Sequence, residues 1–160
     1  MRLLHSWSCP WSEASRPGGG YLGEYGELVA ASWLRAQGYK VLRHRWRMGA
    51  SGELALVCRK GDLLVFAEVK SAMSPRGGRP ARRVNHHKRE LIRRAARLWL
   101  RRLGREVPVR MDVLEVLLTP GQKPEVTHLP GVFPLYERET ADFGCSRLRP
   151  SVYAEAFGNV

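Results

Sequence analysis

Glu68 and Lys70 are the two residues whose types and spacing most directly indicate chemistry. They lie in residues 63–70, an apolar run rich in Val, Leu and Phe that is predicted to be a buried strand. Because side chains alternate along a strand, both point to the same face. A carboxylate beside an ammonium at a strand end can hold a metal ion and steady a nucleophilic water or a developing oxyanion. The same pair is also typical of a simple surface ion pair, so the pattern alone leaves both interpretations open.

Two further acids precede this strand. Glu53 begins the previous predicted strand, directly after a Gly-containing turn at residues 48–52, and Glu27 lies on the first predicted helix. Together with Glu68 and Lys70 they form the candidate catalytic set. An ordinary surface position is an equally good interpretation of Glu27.

The positive charge of the chain is concentrated in one segment. The net charge is +12, and residues 76–105 contain twelve Arg or Lys residues and one acid, Glu90. Such a segment repels itself, so we expect a polyanionic partner, and nucleic acid is favoured over an acidic membrane surface or a merely solvated face. The candidate phosphate contacts are Arg76, Arg79, Arg82, Arg83, Lys88, Arg89, Arg93 and Arg94. Phosphate contacts position a protein without reading sequence, and because we find no base-reading motif we expect recognition of nucleic-acid shape.

Lys88 differs from the other cations of this segment. It falls on the apolar stripe of the predicted helix, together with Leu91 and Ala95, and therefore points toward the sheet. A lysine there either extends past the core to water or reaches the cleft beside Glu68, and we favour the cleft.

The elements that position these residues follow from the spacing of apolar residues and from the turn residues between them. We predict a helix from near Tyr21 that Gly38 ends, strands at 39–46, 53–59 and 63–70, a basic loop at 71–81, a helix at 81–103, and strands at 107–118 and 125–129. This order predicts an α/β domain at residues 21–133, with a mixed central sheet of about five strands flanked by helices. Residues 1–20 are predicted to be a disordered extension and residues 134–160 a tail.

Several classes of protein are disfavoured by the sequence. No apolar run approaches the length of a membrane span, and residues 1–20 lack the apolar core of a signal peptide. Cys9, Cys58 and Cys145 are far apart, with neither a disulfide framework nor the spacing of zinc ligands. We therefore expect a cytoplasmic protein with no membrane partner.

The stretch from Gly23 to Phe133 resembles the YraN-like bacterial family of the PD-(D/E)XK, restriction-endonuclease-like superfamily, which is similar to archaeal Holliday-junction resolvases. The pieces that carry the resemblance are Gly26-Glu27 with Ala30, Gly38-Tyr39, Gly52-Glu53-Leu54, Val65-Phe66-Ala67-Glu68-Val69-Lys70, Val84 with Lys88, and Arg110-Met111-Asp112-Val113. The resemblance implies a restriction-endonuclease-like core and phosphodiester hydrolysis with Mg²⁺ or Mn²⁺. It assigns Glu68 to the metal, Lys70 to the charge or water of the reaction, and Glu27 to a helper role. Resolvase-like relatives are often dimers, so a homodimer is an expectation of the same kind.

One position departs from the family pattern. The family strand usually reads Gly-Glu-Ile-Asp, and its Asp is the first metal-binding carboxylate, whereas this chain has Ala55 there. Glu53 lies two residues earlier on the same face and is therefore the candidate second metal ligand, although its backbone is offset by about 6.6 Å. Glu68 together with Glu27 is another donor set. Asp112 is expected to be structural, paired with an arginine such as Arg110.

The sequence therefore predicts a nucleic-acid-binding protein with a metal-dependent nuclease fold that is weak or inactive because of Ala55. DNA is the expected nucleic acid. The alternatives are an active Mg²⁺-dependent, structure-selective endonuclease that uses Glu53, Glu68 and Lys70, and a non-enzymatic RNA-binding or scaffold protein.

Overall fold

The computed structural model describes residues 19–49, 52–73 and 84–136, which form two helices and a five-stranded sheet. The elements are α1 (Gly19–Ala36), β1 (Lys40–Arg47), β2 (Glu53–Lys60), β3 (Leu63–Ala72), α2 (His86–Leu103), β4 (Val109–Leu117) and β5 (Glu125–Leu129). The strands lie in the order β1-β2-β3-β4-β5; β3 and β4 are parallel, and the other neighbours are antiparallel. The prediction of a mixed five-stranded α/β sheet is confirmed, and the fold is consistent with a restriction-endonuclease-like core.

The two helices cover opposite faces of the sheet. Along β3, Val65 and Ala67 pack in a core cluster with α1, while Leu64 and Phe66 pack in a second cluster with α2. This division follows from the alternation of side chains along a strand. Each helix therefore has its own apolar layer against one central strand.

The helix boundaries differ slightly from the sequence prediction. The first helix begins at Gly19, two residues before Tyr21, and is followed as predicted by Gly38, whose φ of +84° suits a helix end. The second begins at His86, because Asn85 caps it by accepting a hydrogen bond from the backbone N–H of Lys88 at 2.9 Å. Residues 81–83, which the prediction included in this helix, lie outside the described residues.

Candidate functional site

The sheet forks beside the predicted catalytic residues. Pairing between β2 and β3 ends at Leu56 opposite Ala67. Beyond that pair, β2 continues beside β1 as far as Glu53, and β3 continues beside β4 as far as Ala72. We call this place the fork; Ala55 on β2 and Glu68 on β3 are the first residues beyond the last pair. A fork exposes side chains of two strands to one cleft, so it is the natural position for a site built from both.

Glu68 lies in the fork as a buried carboxylate held by two lysines. Its relative exposure is 5%. Its Oε1 atom lies 2.8 Å from Nζ of Lys70, on the same face of β3, and 3.5 Å from Nζ of Lys88. Lys88 therefore reaches the cleft beside Glu68, as its place on the apolar stripe predicts. Two ammonium groups therefore lie beside one carboxylate oxygen.

Two local features hold α2 at this position. The Asn85 cap fixes the first turn of the helix and so places Lys88 over β3. Gly52, with φ +107°, lies so close to the helix that an added Cβ would be 2.7 Å from the carbonyl oxygen of Leu91. A residue with a side chain would meet both a strained backbone and a steric clash there, so the glycine permits the close approach of β2 and α2.

Glu27 enters the fork from α1. The helix comes close to β3 through Gly26, where an added Cβ would lie 1.7 Å from Oγ of Ser71. Oε2 of Glu27 lies 3.0 Å from Nε2 of His44 and 3.3 Å from Nε of Arg45, both on β1.

The pKa of Glu27 shows how close the acids of the fork are to one another. Burial raises this pKa above its ordinary value; Arg45 opposes that shift, and the charges of Glu53 and Glu68 add to it. The pKa of His44 is lowered by its own burial and by the neighbouring charge of Arg45. The fork thus gathers acids whose mutual repulsion must be offset by cations.

Glu53 is held by arginines of the neighbouring strand. Its Oε2 atom accepts a hydrogen bond from Nε of Arg47 at 2.7 Å, and its Oε1 atom lies 3.3 Å from Nε of Arg45. Arg45 also donates to Glu24 at the surface of α1. The strand-start acid that was the candidate second metal ligand is therefore already engaged by two guanidinium groups.

The described residues do not fit a divalent metal. Ala55 is 6% exposed and packs in the core cluster beneath α1, so it offers a methyl group where a ligand is needed. Glu53 and Glu68 are in ion pairs with arginine and lysine side chains, and Glu27 lies 3.3 Å from Nε of Arg45, although its buried Oε2 atom accepts no hydrogen bond from any residue that the structure describes. Within residues 19–49, 52–73 and 84–136, no three or more His, Cys, Asp or Glu side chains come together so that they could hold a metal ion. A magnesium site normally relies on one or two carboxylates free to bind.

Asp112 is structural, as the sequence predicts. It is fully buried on β4 and accepts two hydrogen bonds of 2.7 Å from the guanidinium of Arg110. It also lies 2.7 Å from Nε2 of His128 on β5 and accepts a hydrogen bond from the backbone N–H of Gly131. Burial opposes ionisation of Asp112, but the hydrogen bonds from His128, Arg110 and Gly131 outweigh it and lower the pKa. Sequence reasoning missed His128, because the pairing of β4 with β5 that brings it to Asp112 is a tertiary relationship.

Half of the predicted phosphate contacts lie in the part of the chain that the structure describes. The other four, Arg76, Arg79, Arg82 and Arg83, lie outside the described residues. Lys88 faces Glu68, Arg89 donates from Nε to the carbonyl oxygen of Val84, and Arg94 is exposed.

Arg93 is buried, unlike Arg94. It is 3% exposed, donates to the carbonyl oxygen of Pro134 at 2.9 Å, pairs with Glu90, and lies over the ring of Phe133. Its side chain holds the segment after β5 against α2 and offers little surface to a phosphate. In the sequence it is indistinguishable from the exposed arginines around it.

The fold and the fork are consistent with a protein of the restriction-endonuclease-like superfamily. The family model described as "Uncharacterised protein family UPF0102" matches residues 26–116, and the chain belongs to this family. The resemblance to the YraN-like family is thereby confirmed.

Similar proteins match about 70% of the chain. A UPF0102 protein of Nocardia farcinica is 42% identical over 113 residues, which cover 70% of this chain and 88% of the relative. One of Beutenbergia cavernae is 43% identical over 112 residues, which cover 69% and 94%. One of Anaeromyxobacter dehalogenans is 41% identical over 115 residues, which cover 70% and 83%. These names give the family and no activity.

No helix in the described part of the chain combines the length and apolar character needed to cross a membrane.

Proposed function

We propose that this protein binds nucleic acid, and DNA in particular, through contacts with its phosphates. It acts in the cytoplasm, binds without a divalent metal and does not cleave the strand. The observation that carries the proposal is the pairing of Glu68 with both Lys70 and Lys88 at a fork where Ala55 supplies no second ligand. The nuclease fold is kept, but the carboxylate at its fork is paired with two lysines, whose ammonium groups can also bind phosphate.

The first support is the pairing at Glu68. Lys70 and Lys88 are two cations that share this one buried carboxylate. An ammonium group is a strong hydrogen-bond donor for phosphate oxygens. Glu68 uses only part of the hydrogen-bonding capacity of the two lysines. A phosphodiester bound over the fork would therefore accept hydrogen bonds from their remaining N–H groups.

The second support is the outer surface of α2. Arg94 and Arg101 are exposed and seven residues apart, so they lie on the same side of the helix. Arg102 on α2 and Arg105 just beyond its end are also exposed. The one acid of the helix, Glu90, is paired with the buried Arg93 and so offsets little of this charge. A surface of this kind binds phosphates independently of base sequence and in a strongly salt-dependent manner.

The binding test compares matched variants of exposed cations. We expect Arg94→Gln with Arg101→Gln to weaken binding of a fluorescein-labelled four-way junction and of linear duplex DNA, measured by fluorescence anisotropy in EDTA. The slope of log affinity against log salt should fall by about 1 for each phosphate contact removed. Lys123→Gln is the control for each of the two single substitutions, because it removes one exposed cation in the turn between β4 and β5. Equal losses in the control and in the double variant would contradict a site on α2.

The alternative of an active endonuclease is tested in the same samples. We expect no cleavage of branched or single-stranded DNA by the parent in Mg²⁺ or Mn²⁺. Cleavage by the parent that disappears in Glu68→Ala would overturn metal-free binding as the function and restore Glu53, Glu68 and Lys70 as catalytic residues.

A further inference from the structure

Arg45 has an unusual backbone conformation at the fork. Its φ is +50°, and it alone among the non-glycine residues that the structure describes has a positive φ. The register of β1 and β2 pairs His44 with Leu56 and Trp46 with Leu54, which leaves Arg45 opposite Ala55. An arginine in the left-handed region is strained relative to Gly or Asn, so favourable contacts of its side chain must offset that cost.

Those contacts are with three carboxylates. The guanidinium of Arg45 donates to Glu24 and lies 3.3 Å from Glu27 and 3.3 Å from Glu53. Glu24 and Glu27 lie on α1, and Glu53 lies on β2. Among the described residues, Arg45 is the one side chain whose ion pairs join these two elements. One cation thus gathers the acids that enter the fork from two directions.

We infer that the Arg45 guanidinium is a built-in cation that replaces a divalent metal in this acid cluster. It supplies the positive charge that lets Glu27 and Glu53 remain near each other, and it lies across from the residue that lacks the metal-binding carboxylate. A guanidinium carries one charge and hydrogen-bond donors, but it has no coordination position for water. The exchange keeps the electrostatic support of the fold and removes the means of activating a water molecule.

This inference rests on the metal-free part of the proposed function and not on nucleic-acid binding. It therefore makes a prediction that can be measured with no nucleic acid present. Removal of Arg45 together with restoration of a carboxylate at position 55 should create a divalent-cation site from residues already in place.

The experiment measures the thermal unfolding midpoint in EDTA and in MnCl₂. The proteins are the parent, Ala55→Asp, Ala55→Asp with Arg45→Asn, and Ala55→Asp with Arg47→Asn. Asn tolerates a positive φ, and Arg47 is the matched control because it also binds Glu53 from β1. We expect the unfolding midpoint of the Arg45→Asn combination to rise by about 5 °C or more when the Mn²⁺ concentration is about a hundred times the Kd of the new site. The other three proteins should change by less than about 1 °C, because the parent lacks a carboxylate at position 55 and because Arg45 pairs with the new Asp in the two others.

A response to Mn²⁺ in the parent, in Ala55→Asp alone or in the Arg47→Asn combination would show that Arg45 does not exclude the metal. If the Arg45→Asn combination does not fold, as judged by far-ultraviolet circular dichroism, Arg45→Gly with Ala55→Asp replaces it, because Gly adopts a positive φ freely. A folded combination that ignores Mn²⁺ would overturn the inference. If the parent protein failed to bind nucleic acid in the anisotropy assay, that result would count against the proposed function and not against this inference.

Discussion

Nζ of Lys88 lies 3.5 Å from Oε1 of Glu68, so the basic helix and the central strand meet at a buried carboxylate. Lys70 lies 2.8 Å from the same oxygen atom. In a metal-dependent nuclease a carboxylate at this place is the ligand, and its removal abolishes function. In a metal-free phosphate-binding protein it is instead a counter-charge that limits the attraction of the fork for phosphate, and the two roles predict opposite results.

Glu68→Gln should bind DNA more tightly in EDTA. The substitution removes one negative charge and leaves Lys70 and Lys88 to interact with phosphate, so we expect affinity to rise by roughly two- to fivefold, the size of a screened charge interaction. It should also lower the free energy of unfolding by about 1–3 kcal/mol, because two partly buried ammonium groups lose their partner. Anisotropy titration and urea unfolding measure the two effects.

The control for this variant is Asp62→Asn, in the exposed turn between β2 and β3. It changes the net charge by the same amount and should leave the affinity within about twofold of the parent. An affinity that falls in Glu68→Gln, or that depends on Mg²⁺ in the parent, would contradict the role assigned to Glu68.

Asp112→Asn should destabilise the protein strongly at neutral pH. The substitution breaks the ion pair between the fully buried Asp112 and the partly buried Arg110 and weakens the contact with His128, so we expect a loss of about 3–5 kcal/mol in the free energy of unfolding. Urea unfolding at pH 7 measures it. A loss below about 1 kcal/mol would show that the network contributes little.

The pH dependence of stability should report the same residue. The folded-state pKa of Asp112 is lowered, so its contribution is fully present above its unfolded pKa of about 3.9 and is lost as the pH falls through the lower folded value. The difference in unfolding free energy between parent and Asp112→Asn should therefore be constant from pH 7 to pH 5 and shrink below about pH 4. If the difference in unfolding free energy grew as the pH was lowered, the stabilising role of the ionised Asp112 would be contradicted.

Gly26→Ala should destabilise the protein, whereas Gly23→Ala on the same helix should not. A Cβ at position 26 would lie 1.7 Å from Oγ of Ser71, and nothing lies within 4 Å of one at position 23. We expect a loss of about 1–3 kcal/mol at position 26 from overpacking and a gain of about 0.5–1 kcal/mol at position 23 from helix propensity. Thermal unfolding of the two variants checks both signs, and stabilisation by Gly26→Ala would contradict the close approach of α1 to β3.

The sequence predicted the elements of the fold because each has a clear apolar period. The periodicity of α1 and α2 and the apolar run of β3 are local properties of the sequence. The place of Lys88 on the apolar stripe of α2 was likewise enough to predict that it points toward Glu68. Small errors arose at the helix ends, where the preference of Asn85 for an N-cap competed with a basic stretch that continues the helical pattern.

Three features of the site could not be read from the sequence, because they depend on tertiary packing. Arg45 has a positive φ and forms ion pairs with acids from two other elements. Arg93 is buried by a segment that returns from beyond β5, although it lies among exposed arginines. His128 meets Asp112 only through the pairing of their strands.

The most direct test of metal-free nucleic-acid binding is the affinity of the parent protein for a labelled four-way DNA junction, measured by anisotropy against salt concentration in EDTA. We predict binding without any divalent cation, and a linear decrease of log affinity with log salt whose slope corresponds to several phosphate contacts. Absence of binding at low salt, or binding that requires Mg²⁺, would contradict the proposed function.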